Sequence, residues 1–202
     1  MIGQNFVDKC LDSTVEHSPW PHQIIEDTLP KDTFQKLKQQ CEQRFSDKTD
    51  KLIHIHPTEF KDHGIDFYDE TLDICDKLYK NSRRLHEAYP SYRTYPVLGI
   101  NVHISVTPPL PYKFYVHQEG IEKTWSSVTY ITPEANVGTK MYTEQNESSF
   151  IKEAKWKPNS TFIFCGQQNK TWHSYESDQT SNRITFNIFV MKYRDKKCFY
   201  KG

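Results

Sequence analysis

The chain has 202 residues, with 26 basic side chains against 26 acidic ones and a formal charge of zero. That length fits one domain able to bury a full core without disulfides or a structural metal. The balanced charge argues against a nucleic-acid binder working by bulk electrostatics. A mean hydropathy of −0.80, with no apolar run of about 18 residues, argues against a membrane span. The opening MIGQNFVDKCLDST lacks the apolar stretch of a signal peptide. Five scattered cysteines (Cys10, Cys41, Cys75, Cys165, Cys198) form no CxxC, so reduced thiols and a cytoplasmic location are expected. The sequons at Asn146, Asn159 and Asn169 then read as chance matches.

In chain order, His22 to Leu29 reads as a short strand. Pro30-Lys31-Asp32 leads into a helix through about Glu42, with Asp32 as N-cap and Phe34, Leu37 and Cys41 as its apolar face. Residues 47–66 are polar and read as loop or short strands. A second helix spans Tyr68 to Tyr89, with Leu72, Ile74, Cys75, Leu78 and Leu85 as its stripe and Pro90 as its stop. From Pro96 the texture changes. Leu98–Val106, Lys113–Gln118, Trp125–Thr132, Gly138–Thr143, Ser160–Cys165 and Arg183–Tyr193 carry β-branched and aromatic residues between turn signals. Twelve Tyr and twelve Phe beside only 7 Gly fit such extended structure. The expectation is one domain: a helical buttress over about 19–95 on a β core over about 96–193, a sandwich, jelly roll or barrel. Asp195-Lys196-Lys197 reads as a solvated tail.

The chemistry-bearing residues lie mainly in the second half. On a strand, His117 and Glu119 of His-Gln-Glu would share a face and could bind one metal. Alone this is weak, since about one such tripeptide is expected by chance. Further on come Trp172-His173-Ser174 and then Arg183-Ile184-Thr185, opening the most apolar strand. Arg183 and Thr185 would point together into the core, where a buried guanidinium needs either an internal ion pair or an anionic ligand. A carboxylate-bearing ligand suits its fork geometry. His54, His56 and His63 with Asp62 form a rival cluster, more simply read as a polar loop that could close over the substrate opening.

In this order, His-x-Glu, then Gly138-Thr139 with a hydrophobic strand, then Trp-His-Ser and Arg-x-Thr, the chain resembles the Fe(II)- and 2-oxoglutarate-dependent oxygenases. It most resembles their small prolyl-4-hydroxylase-like members. Pro19-Trp20-Pro21-His22, followed by a strand, Leu-Pro and a helix, is also similar to that group. The resemblance covers about residues 19–193 and implies a double-stranded β-helix, or jelly roll of the cupin kind, buttressed by N-terminal helices. It implies His117, Glu119 and His173 as catalytic metal ligands, with Arg183 and Thr185 on the far carboxylate of 2-oxoglutarate. Tyr115 and Tyr130 would either hydrogen-bond that cosubstrate or be core tyrosines, Trp172 would pack against His173 and fix it, Asn187 would support the site, and Lys123 would be either a residue near its mouth or a solvated strand-end lysine. Fe(II), 2-oxoglutarate and O2 are the implied cofactors, with ascorbate as an accessory reductant. The implied reaction hydroxylates a peptidyl residue such as proline, an amino acid or a small metabolite, and releases succinate. The family more often has Asp where this chain has Glu119. Two other readings stay open: a cupin-like metal enzyme that does not use 2-oxoglutarate, and a non-catalytic β-sandwich module. No membrane or nucleic-acid partner is expected.

Overall fold

In a computed structural model, which describes residues 1–89, 99–109, 111–178, 180–192 and 198–201, two antiparallel sheets face each other and three helices cover one of them. The helices are α1 (Ile2–Asp12), α2 (Lys31–Arg44) and α3 (Tyr68–Glu87). The strands are β1 (His22–Ile25), β2 (Ile53–Ile55), β3 (Gly99–Thr107), β4 (Lys113–His117), β5 (Lys123–Thr132), β6 (Thr139–Tyr142), β7 (Phe150–Ala154), β8 (Thr161–Phe164), β9 (Trp172–Glu176) and β10 (Arg183–Met191). The larger sheet runs β1-β8-β5-β10-β3-β2 and the smaller β4-β9-β6-β7. This is the mostly β, helix-flanked jelly roll that the family resemblance implies, one of the three architectures that the strand pattern left open.

Strict alternation along two central strands divides the molecule. On β3, Ile100, Val102, Ile104 and Val106 enter the main apolar cluster, as do Ile184, Phe186, Ile188 and Val190 of β10. The helices complete that cluster with Phe6, Val7, Cys10, Phe34, Leu37, Cys41, Ile74, Cys75 and Leu78. The intervening residues point the other way, into the space between the sheets: His103, Ser105 and Thr107 from β3, and Arg183, Thr185, Asn187 and Phe189 from β10. The main hydrophobic core therefore lies between helices and sheet, while the space between the sheets holds a cavity with polar walls beside a smaller apolar cluster of Trp20, Tyr130, Met141, Ala154, Phe162 and Phe164. Each fully buried aliphatic side chain on the helix side contributes about 1.5–3 kcal/mol, and this supports the uncongenial inner face.

The helical layer has three members, not two. In α1, Phe6, Val7 and Cys10 are buried on a short helix packed against α3. Gly3 permits that contact: a Cβ there would stand 2.3 Å from the Asp73 carbonyl oxygen, and its N–H donates to Asp73 Oδ2 at 2.8 Å. Pro30 caps α2, so Asp32 lies in the first turn. Leu72 is exposed, and Thr71 takes the inward position instead. The polar stretch 47–66 is more ordered than a loop, because β2 pairs with β3. Strands β7 and β9 are additional to those read from sequence. Pro90, Pro96, Leu98, Tyr193 and Asp195-Lys196-Lys197 lie outside the described residues.

All five thiols are free and buried, and burial pushes the Cys41 thiol up to about 12. Among the described residues, no helix is long and apolar enough to cross a membrane. Asn159 is a structural residue: buried, at φ 64°, it accepts from Leu29 N and donates to Leu29 O, each at 2.9 Å. That clasp fixes the entry to α2 against the turn before β8. Asn159→Ala leaves both groups of Leu29 unpaired and puts alanine in a left-handed conformation, so a loss of about 2–4 kcal/mol is expected in urea unfolding. A loss under about 0.5 kcal/mol would contradict this role.

Candidate active site

A cavity of about 170 Å³ opens between the sheets, and His117, Glu119, His173, Arg183, Thr185 and Asn187 all line it. β4 and β9 pair so that His117 lies opposite His173, with ring centroids 4.2 Å apart. Each imidazole is fixed by its own backbone. His117 Nδ1 donates to the Tyr115 carbonyl and His173 Nδ1 to the Thr171 carbonyl, both at 2.9 Å. The tautomer is thereby set and Nε2 left as the free nitrogen of each ring. Burial, reinforced by the nearby His117, lowers His173 to about 4, and burial lowers His117 as well. Both are neutral at pH 7, the form that ligates a metal.

Glu119 lies beyond the end of β4, so strand alternation does not bring it to His117. The turn after the strand does, placing Oε1 at 4.0 Å from His173 Nε2. Its Oε2 accepts from Lys123 Nζ at 2.6 Å. Burial works to raise this carboxyl, but Lys123, His173 and His117 outweigh it and hold it below its usual range. Ligands bound side by side on a metal at about 2.1 Å stand about 3 Å apart. Among the described residues no three His, Cys, Asp or Glu side chains are closed to metal-holding spacing, and one oxygen of the Glu119 carboxylate is held by Lys123. The donors nevertheless fit a divalent transition metal: two neutral imidazoles with Nε2 free, and one ionised carboxylate.

Arg183, only 2% exposed, stands at the first residue of β10. Its guanidinium lies 4.9 Å from the ring centroids of Trp156 and Tyr175 and 5.6 Å from Tyr130. Nε donates to the Val137 carbonyl at 3.3 Å. No carboxylate pairs with it among the described residues. The nearby Glu153 accepts instead from Gly138 N at 2.7 Å. At Gly138 a Cβ would stand 1.9 Å from the Ala154 carbonyl oxygen, so only glycine lets the chain entering β6 lie this close to the end of β7.

Neither Tyr115 nor Tyr130, both expected beside a cosubstrate, is among the residues that line the cavity. Tyr115 is 66% exposed, because a bulge between Phe114 and His117 breaks the alternation and brings Phe114 to the cavity instead. Tyr130 turns its ring toward Arg183 while its hydroxyl bonds Thr139 Oγ1 at 3.0 Å and the Ala154 carbonyl at 3.2 Å. Trp172 packs with Val116 and Tyr142 and thus braces His173. Asn187 donates to Ser105 Oγ at 2.8 Å, leaving Oδ1 buried without a partner among the described residues.

The sequence reading missed Tyr175, whose signal was its place two residues after His173, and His103. His54 lies flat against His103, ring centroids 4.3 Å apart, and both line the cavity. His56 meets His103 at 5.9 Å, whereas His63 packs near Phe45 instead. The His54, His56 and His63 group is therefore split.

No family model matches the sequence, and a search of curated proteins finds no match. Solved structures do match. The class is defined by fold: a jelly roll shared with prolyl hydroxylases. A Trichoplax adhaerens prolyl hydroxylase, solved with a hypoxia-inducible-factor peptide fragment, superposes with a TM-score of 0.60 at 11% identity, over 94% of this chain and 89% of that one. A Pseudomonas putida prolyl-4-hydroxylase gives a TM-score of 0.56 at 14% identity, over 96% of each chain.

Burial lowers His103 to about 2, with His54 and His56 adding to the shift. A folded value this far below an unfolded one near 6.5 means the unfolded chain takes up the proton first. Stability should therefore fall as pH drops below about 6.5, by up to about 1.4 kcal/mol per pH unit for each such histidine. Replacing His103 by Phe should flatten the urea midpoint between pH 7 and pH 5. An unchanged slope would contradict the assignment.

Proposed function

We propose that this protein is an Fe(II)- and 2-oxoglutarate-dependent hydroxylase acting on a peptidyl residue. One observation carries the reading: two backbone-fixed imidazoles and a carboxylate share a cavity with a buried guanidinium that has no carboxylate partner among the described residues. His117, His173 and Glu119 would hold the iron. When bound, the metal supplies the activation of dioxygen needed to convert a C–H bond to C–OH, while 2-oxoglutarate becomes succinate and carbon dioxide.

The chain's own residues perform the binding and the exclusion of water. Arg183 would take the far carboxylate of 2-oxoglutarate through paired N–H donors, with the Thr185 hydroxyl alongside. Tyr175, Tyr130 and Trp156 enclose that cation in aromatic faces, so its charge is poorly screened and available to a dicarboxylate. Arg183 and Phe189 stand six residues apart on β10, about 20 Å at strand rise. The end formed by Phe189, His103 and His54 is therefore the substrate end. Its histidines are held neutral, which suits an uncharged side chain over an acidic or basic one. A peptidyl residue fits this wall, and the Trichoplax neighbour was solved with a peptide.

The test is succinate formation from 2-oxoglutarate with Fe(II) and peptide pools, with detection of a gained oxygen. His173→Ala should lower turnover at least 100-fold. Arg183→Met should raise the KM for 2-oxoglutarate at least tenfold while Fe(II) affinity holds. Undiminished succinate release in the folded His173→Ala variant would overturn the proposal.

A further inference from the structure

We infer that Lys123 is a positioning residue that restricts Glu119 to a single metal-binding oxygen, an inference that rests on reading His117, Glu119 and His173 as the metal ligands. The two oxygens of Glu119 have different surroundings. Oε2 accepts from Lys123 Nζ at 2.6 Å, while Oε1 faces His173 Nε2 at 4.0 Å and Ser126 Oγ at 3.5 Å. Lys123 is itself fixed. It opens β5, its backbone N–H donates to the Gly120 carbonyl at 2.9 Å, and its ammonium lies 3.9 Å from the Phe189 ring centroid. The Glu119 side chain is only 9% exposed, so this ion pair is not one of the surface pairs that contribute next to nothing.

The arrangement answers a problem set by the longer side chain. A glutamate has one more methylene than an aspartate and more freedom to bring both oxygens to a metal. A facial set of three ligands is useful because three positions stay open. A 2-oxo acid bound through its carboxylate and keto oxygens would take two of them, and dioxygen would need the third. A second oxygen from Glu119 would occupy one of them. An ammonium held against Oε2 withholds that oxygen and leaves Oε1 on the side of the histidine nitrogens.

The experiment uses the full chain loaded with Co(II), with calorimetry for Co(II) and then 2-oxoglutarate, the visible Co(II) spectrum, and a melting curve to confirm folding. Lys123→Met should bind Co(II) at least as tightly as the wild type, with a changed visible spectrum. Its affinity for 2-oxoglutarate should fall tenfold or more, and Lys123→Arg should restore both signals. A Lys123→Met protein with wild-type spectrum and cosubstrate affinity would overturn the inference. So would one that loses Co(II), since the lysine would then only order the carboxylate. If the wild type takes up no Co(II), the metal-ligand reading itself falls and takes the inference with it.

Discussion

A guanidinium sealed between two sheets, with aromatic faces around it and no carboxylate paired with it among the described residues, is the constraint on which this structure turns. Burying an unpaired charge costs several kcal/mol even after relaxation, so the surroundings must hold Arg183 in place. β10 provides that support through its two faces. The residues that alternate with Arg183, Thr185 and Asn187 are Ile184, Phe186 and Ile188, all in the apolar cluster beneath the helices. Every second residue anchors the strand, and the others are free to be polar. The three helices are thus the source of the stability that lets the opposite face of the sheet be a site.

The same division explains how the smaller sheet presents its side chains. β4 and β9 pair His117 against His173, and the backbone carbonyls of Tyr115 and Thr171 fix both rings. The carboxylate comes from a turn, with Lys123 from the neighbouring sheet engaged on it. Two imidazoles fixed by backbone and a carboxylate held by a lysine make a site whose geometry depends on the partner of that carboxylate.

Much of this was legible in the sequence, for identifiable reasons. The period of two in Arg183–Met191 is unbroken, so the common face of Arg183, Thr185 and Asn187 follows from alternation alone. The motifs singled out His117 and His173, and both line the same cavity. Elsewhere local pattern was overruled. A bulge, invisible in composition, turned Tyr115 to solvent and Phe114 inward. Tyr130 sits on the inner face, but its hydroxyl is committed to Thr139 and Ala154. α1 is short, and its four buried residues, Gly3, Phe6, Val7 and Cys10, matter only because α3 lies against them. His54 gained its place when β2 added itself to the sheet edge beside His103, a pairing between segments far apart in sequence.

The most direct measurement is a crystal structure of the protein soaked with Mn(II) and 2-oxoglutarate. The account predicts one metal bound by His117 Nε2, His173 Nε2 and a single Glu119 oxygen, with the far carboxylate of the dicarboxylate on Arg183. A metal bound elsewhere, or a dicarboxylate that leaves Arg183 without a partner, would contradict it.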